Sequence, residues 1–230
     1  MSIVYCITSS INRNCLKDQL QTLKCRQAEF IKMRSFFALL LLVAFVSAAV
    51  ETPTYEVIQT GEDYEVRRYD PKKWVATSLD AFGFEEIRGD LFNTLFSYID
   101  GGNEEGIVIP MTAPVTTLVL PGEGPNCKQT FTCAFYIPDD LQANPPIPTN
   151  PAVFIEERPE FELYSRRFSG YAYEADYISE GYALYQSLER DNVTDAQYAP
   201  WYIVGYNSPF DFVDRRNEVW FSRVAATKKN

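Results

Sequence analysis

Between residues 55 and 225 the chain runs twice through one order of segments, and that order limits what it can fold into. In the first pass the alternating stretch Tyr64 to Tyr69 is followed by an extended segment Trp74 to Leu79, a helix, and two further strands. In the second pass the same places are taken by Phe161 to Phe168, Tyr171 to Glu174, a helix, and two strands. The strings agree as well: Asp63-Tyr64-Glu65-Val66 with Arg67-Arg68-Tyr69 matches Glu160-Phe161-Glu162-Leu163 with Arg166-Arg167-Phe168. Alternation of period two predicts strands, and the repeated order predicts a duplicated unit. Neither unit can bury its apolar face alone, so the two should close into one sheet or barrel.

The first helix is predicted over Phe84 to Ile99. Ile87, Leu91, Phe92, Leu95, Phe96 and Ile99 recur at three- and four-residue steps and form one broad apolar face, which Gly101-Gly102 ends. Gly89 in its first turns costs about 1 kcal/mol relative to alanine, the mark of a close approach or of an irregular helix start. The second helix is predicted over Asp176 to Glu189, with Asp176 as N-cap. Ile107 to Leu120 and Gln129 to Ile137 read as the later strands of the first half, and Trp201 to Tyr206 and Glu218 to Val224 as those of the second. Pro121-Gly122-Glu123-Gly124-Pro125 is turn material. The proline-rich stretch Pro138 to Pro151 reads as an extended connector between halves at about 55–140 and 152–225 of a single domain, residues 53–225.

In front of this domain Arg34 precedes an apolar run from Phe36 to Val46, and Ser47-Ala48-Ala49 follow. A positive flank, a short apolar centre and small residues make up a secretory signal peptide. The run falls short of the ~20 apolar residues of a membrane span, so no stable span is expected. Met33 then reads as the effective start, residues 33–49 as the signal, and residues 1–32 as an upstream extension absent from the mature protein. The expected location is outside the cell. Processing would leave Cys127 and Cys133, a candidate disulfide in an oxidising compartment or else two free thiols. Asn192-Val193-Thr194 is an N-glycosylation sequon, with Asn192 as acceptor.

Charge narrows the function. Residues 1–50 hold six of the 21 Lys/Arg and two of the 31 Asp/Glu, so the remainder carries 15 basic and 29 acidic residues, a net charge of −14. Such a domain repels phosphate backbones, and no nucleic-acid partner is expected. Histidine is absent from the whole chain. That removes Ser-His-Asp and Cys-His constellations and the commonest metal ligand. Glu156 and Glu157 point to opposite strand faces, and Glu160 and Glu162 read as surface acids. No nucleophile–base pair, metal cluster or phosphate loop is legible, so a non-enzymatic binding protein is expected. Aromatic residues make up 15% of the chain, enough to line a cleft or to fill a core.

Four further strings stand in order over about 170 residues. They are Tyr64-Glu65-Val66-Arg67-Arg68-Tyr69 with Lys73-Trp74-Val75, Pro110-Met111-Thr112-Ala113-Pro114-Val115, Phe154-Ile155-Glu156-Glu157-Arg158, and Gly205-Tyr206-Asn207-Ser208-Pro209 with Arg216-Asn217-Glu218-Val219-Trp220. Together they resemble the SOUL haem-binding family. The resemblance implies an α+β fold: a pseudo-two-fold, distorted antiparallel β-barrel of about eight strands flanked by two helices. It also implies non-covalent binding of haem or a related tetrapyrrole, as a carrier or buffer, in an apolar surface cleft beside the first helix.

On that reading Ile87, Leu91, Phe92, Leu95 and Phe96 form one wall of the cleft, and Tyr206 and Phe210 the other. Arg88, Arg215 and Arg216 are candidates for the propionates. In some relatives a histidine in the opening strand is the iron ligand, and the matching position here is Arg68. Relatives also place an arginine within the first helix against the ligand, and the matching position here is Gly89. Binding without histidine ligation is therefore expected, with Met111 as a candidate weak axial ligand. The domain is expected to be a monomer, and no protein partner is legible. The alternative is a protein-interaction module that keeps the fold and has lost the ligand.

Overall fold

The computed structural model describes residues 50–224 apart from Pro125, Pro209, Phe210 and Phe212. The expected extension 1–32, the signal segment 33–49 and the candidate wall residue Phe210 lie outside the described residues. In chain order the elements are β1 (Tyr55–Thr60), β2 (Glu65–Tyr69), β3 (Lys72–Ala81), α1 (Phe84–Ile99), β4 (Val115–Leu120), β5 (Gln129–Tyr136), a short 3-10 turn (Asp139–Leu141), β6 (Val153–Arg158), β7 (Phe161–Phe168), α2 (Glu174–Arg190), β8 (Ala196–Gly205) and β9 (Asn217–Arg223). The nine strands form one antiparallel sheet in the order β1-β2-β7-β9-β8-β4-β5-β3-β6. The architecture is α+β with two helices, as expected. The sheet has nine strands and stays open, with β1 and β6 at its edges.

Set β1 aside and the order maps onto itself when β2, β3, β4 and β5 are exchanged for β6, β7, β8 and β9. This equivalence differs from the one read off the strings. β2 corresponds to β6, and β3 to β7. The similar strings on β2 and β7 belong to neighbours paired antiparallel, with Glu65 opposite Ser165 and Tyr69 opposite Phe161. They share an alternation because they share a sheet face, not because they occupy equivalent places. The expected strand Tyr171 to Glu174 is absent, and residues 171–173 lead directly into α2. The strand expected from Ile107 starts only at Val115, because Pro110 and Pro114 have no N–H to give a ladder. β1 was not legible as a strand, being exposed along nearly its whole length; β6 carries Glu156 and Glu157, which the sequence already placed on opposite strand faces.

Both sheet faces are largely buried, which accounts for the many rings. On β5, Phe131, Cys133 and Phe135 point to one side, and Ala134 and Tyr136 to the other. β9 divides likewise, Val219 and Phe221 against Trp220. The first side carries the helices: Leu91, Leu95, Tyr98 and Ile99 of α1 and Tyr177, Leu184 and Leu188 of α2 join the main core. The second side holds two ring-rich clusters, Trp74 with Tyr136 and Tyr69 with Trp220.

The helices start side by side and cap one another. The Phe84 N–H donates to Glu174 Oε2 at 2.9 Å, and the Glu174 N–H donates to Glu85 Oε1 at 3.1 Å. Each carboxylate satisfies an amide that a helix start would leave unpaired and sits at the positive end of a helix dipole. Asp176 is not the N-cap: α2 begins at Glu174, and the Asp176 carboxylate accepts from the Tyr173 N–H at 2.8 Å. The mutual capping holds residues 171–173 against the first turns of α1.

Candidate functional site

Between α1 and the sheet lies a cleft of about 390 Å³. One wall is a stripe of α1: Phe84, Arg88, Gly89, Phe92 and Asn93. These follow four- and five-residue steps, which put them on one helix face beside the core-facing stripe. The floor comes from alternate residues of three neighbouring strands, Val115 and Thr117 of β4, Cys133 of β5, and Ile203 and Gly205 of β8. Tyr171, Ala172 and Tyr173, with Tyr177 of α2, make the second wall. Asn207, Arg215 and Asn217, around the β8–β9 connection, complete the rim.

The back of the cleft is held by a short hydrogen-bonded chain. The Tyr177 hydroxyl donates to Asn217 Oδ1 at 3.2 Å, and Asn217 Nδ2 donates to the Gly170 carbonyl at 2.9 Å. Burial pushes the Tyr177 hydroxyl up to about 12, against the charges of Arg88 and Arg215, which act in the other direction. Burial likewise pushes the Cys133 thiol up to about 12, so it stays protonated at neutral pH.

Two cations flank this apolar space. Arg88 is half exposed and has only a 3.6 Å pair with Glu85, one helical turn before it. Arg215 lies 4.4 Å over the Tyr171 ring, and its Nη1 donates to the carbonyls of Ser208 at 2.7 Å and Asp211 at 2.9 Å. Its Nε is buried with no hydrogen-bond partner, and it forms no ion pair with any described residue. A guanidinium whose charge is not neutralised, on the rim of an apolar cleft, is a ready partner for a carboxylate.

Of the residues expected from the sequence, Arg88, Phe92 and Arg215 line the cleft. Leu91 and Leu95 are fully buried in the core, and Ile87 and Met111 are half-buried against it. Phe96 is exposed and stacks on Phe92 with ring centroids 5.9 Å apart. Tyr206 and Arg216 are engaged elsewhere: both bond to Glu218, and the Arg216 guanidinium sits 3.9 Å over the Tyr206 ring. Glu218 shares a strand face with Trp220, away from the helices. Arg68 hydrogen-bonds to Glu162 and Glu56 on the neighbouring strands and lines no part of the cleft. Cys127 and Cys133 are both free thiols; Cys127 is exposed in the turn before β5, whereas Cys133 is buried within that strand opposite Thr77 and Thr117. Asn192 is exposed in the turn after α2, with φ of 56°.

The floor and second wall were missed by the sequence reading, because strand residues join the α1 stripe only through pairing across the sheet. On the first wall Phe84 was missed as well, although its four-residue spacing with Arg88 and Phe92 is legible in the sequence.

Residues 50–222 match the SOUL heme-binding protein family. The chain belongs to this family. Heme-binding protein 2 of Homo sapiens is 38% identical to it over 187 residues, spanning 79% of this chain and 91% of that protein. Heme-binding protein 1 of Sus scrofa is 31% identical over 180 residues, spanning 76% of this chain and 94% of that protein. Among solved structures, the EcmrR C-terminal domain aligns with a TM-score of 0.53 at 10% identity, covering 73% of this chain and 96% of that one. That likeness shows a shared fold. The SOUL domain here thus combines a family scaffold with a cleft beside α1 and, on its rim, an arginine with no ion pair among the described residues.

Proposed function

We propose that this SOUL domain binds haem or a related tetrapyrrole non-covalently in the cleft beside α1, as a non-enzymatic carrier or buffer that uses no histidine ligand. The observation that carries the reading is the combination of apolar walls with Arg88 and Arg215 on the rim. A tetrapyrrole is a flat apolar disc with carboxylates on one edge. Phe84, Phe92, Val115, Ala172 and Ile203 offer it apolar contact, and the two arginines offer it charge. The volume lies within the ~300–1,000 Å³ usual for small-molecule sites. The Arg215 guanidinium forms no ion pair with any described residue, so its charge is available to a carboxylate at the rim. Haem, when bound, supplies a chromophore and a redox-active iron; the chain's residues supply the slot and the countercharge.

No histidine, methionine or thiolate is offered as an axial ligand by the described residues. The chain has no histidine, Met111 does not line the cleft, and the Cys133 thiol stays protonated at neutral pH. Affinity then rests on apolar area and carboxylate pairing, so metal-free protoporphyrin should bind about as well as haemin. Titration of both into the purified 50–230 fragment, followed at the Soret band and by porphyrin fluorescence, tests this. Phe92→Ala and Arg215→Gln should each weaken both ligands by about tenfold, and Met111→Ala should leave the haemin spectrum unchanged. No saturable binding at micromolar ligand would end the proposal and leave the interaction-module reading.

The proposed setting is outside the cell. The leader pattern of residues 34–49 and the exposure of Asn192 in its sequon support it. N-terminal sequencing of protein recovered from the medium of secreting cells should begin at Ala49 or Val50. Cell-retained protein that keeps Cys6, Cys15 or Cys25 would overturn it.

A further inference from the structure

A glycine inside a helix needs a reason, because it gives up helix stability relative to any ordinary residue. In α2 a Cβ at Gly181 would stand in ordinary contact with the sheet, 3.6 Å from Val219 Cγ1 and 4.0 Å from Phe221 Cζ, so the helix lies against β9 there and leaves little room beyond an alanine. In α1 no such reason exists. Gly89 is the sixth residue of the helix, beyond the positions where a cap would act, and its φ is not positive. A Cβ there would meet no protein atom within 4 Å. The fold would accept a Cβ at this position without moving anything.

What the missing side chain leaves is space, and the space is in the cleft. Gly89 lines it between Arg88 and Phe92, the charged and the aromatic residues of the α1 wall. We infer that Gly89 is bare for the ligand rather than for the fold, and that it sets how deeply a planar macrocycle seats against α1. This rests on the tetrapyrrole reading above. A flat ring gains dispersion only where its atoms come to about 3.5–4 Å of the surface beneath. A bare helix backbone allows that approach, and any branched side chain holds the ring away from it.

The test is a size series at this position, Gly89→Ala, Gly89→Leu and Gly89→Trp, with Asp90→Leu as a control on the same helix outside the cleft. Haemin and protoporphyrin are titrated into each, and thermal melts are recorded without ligand. The expected result is a Tm that rises by about 2–4 °C for Gly89→Ala. Affinity should fall about two- to threefold for alanine and more than about tenfold for leucine and tryptophan. Asp90→Leu should bind as the parent does. A parent that binds both ligands while Gly89→Leu and Gly89→Trp bind them equally well overturns this inference and leaves the tetrapyrrole reading standing. A parent that binds neither overturns both. A drop in Tm for Gly89→Ala overturns the claim that the fold has no use for the glycine.

Discussion

Glu218 has no solvent exposure, yet it carries a full charge. Arg67 Nη1 donates to it at 2.8 Å, Arg216 Nε at 2.8 Å, Trp220 Nε1 at 2.7 Å, and the Ser165 and Tyr206 hydroxyls at 3.1 Å each. Burial acts to raise its pKa, but the Arg67 charge and hydrogen bonds, then Arg216, outweigh it and hold the carboxyl below the ordinary value. Taking an ion out of water is costly, and these donors are what offset that cost. The cluster also explains why two candidate ligand residues do not reach the cleft: Tyr206 and Arg216 are committed to Glu218. Glu218→Gln leaves Arg67, only 3% exposed, without its buried partner. The expected loss is about 3–5 kcal/mol in urea unfolding, with ligand affinity of the folded protein unchanged. A loss under about 1 kcal/mol, the size of a surface pair, would mean that this cluster contributes little.

At the scale of elements, α1 carries two stripes side by side. One faces the core through Leu91, Leu95, Tyr98 and Ile99, and the other faces the cleft through Phe84, Arg88 and Phe92. The apolar periodicity shows the helix and its bounds, but it runs the two stripes together, which is why Leu91 and Leu95 read as ligand wall. Only the packing partner separates them. The other wall depends on the join between helix starts. Glu174→Ala removes the acceptor of the Phe84 N–H and should cost about 1 kcal/mol, within the ~0.5–2 kcal/mol range of helix caps. Because the same join holds Tyr171 to Tyr173 beside α1, ligand affinity should fall as well. Chemical denaturation and porphyrin titration of one variant read both effects. Weaker stability with unaltered binding would detach the cleft wall from the cap.

For the molecule as a whole, the absence of histidine shapes the response to pH. Glu218, Asp63, Asp139, Asp191 and Asp195 all titrate below their ordinary values in the fold. A lowered carboxyl contributes stability that is complete above its unfolded pKa and is lost as pH falls through its folded pKa, so the acid limb should begin below about pH 4.5. Cys133 titrates near 12 in the fold, as do Tyr98 and Tyr177. Raised thiols and phenols contribute stability that is complete below their unfolded pKa and is lost as pH rises, so the alkaline limb should begin above about pH 9. Urea midpoints should therefore be level between about pH 5 and 9. A step near pH 6–7 would reveal a titrating group outside this set.

Local rules of period and punctuation account for α1 to the residue, for the start of most central strands, and for two strand–helix passes along one domain. Those features depend on neighbours along the chain, where spacing alone carries the signal. Composition, read from the same letters, shows that the chain has no histidine to offer. The pairing of β2 with β7, the equivalence of β3 with β7, and the division between Arg215 on the cleft rim and Arg216 beside Glu218 depend on contacts between segments far apart in sequence. A one-residue step along a strand sends a side chain to the opposite face. Arg215 and Arg216, just before β9, look interchangeable as letters, yet one lies over the Tyr171 ring and the other over the Tyr206 ring, a division that only the folded chain decides.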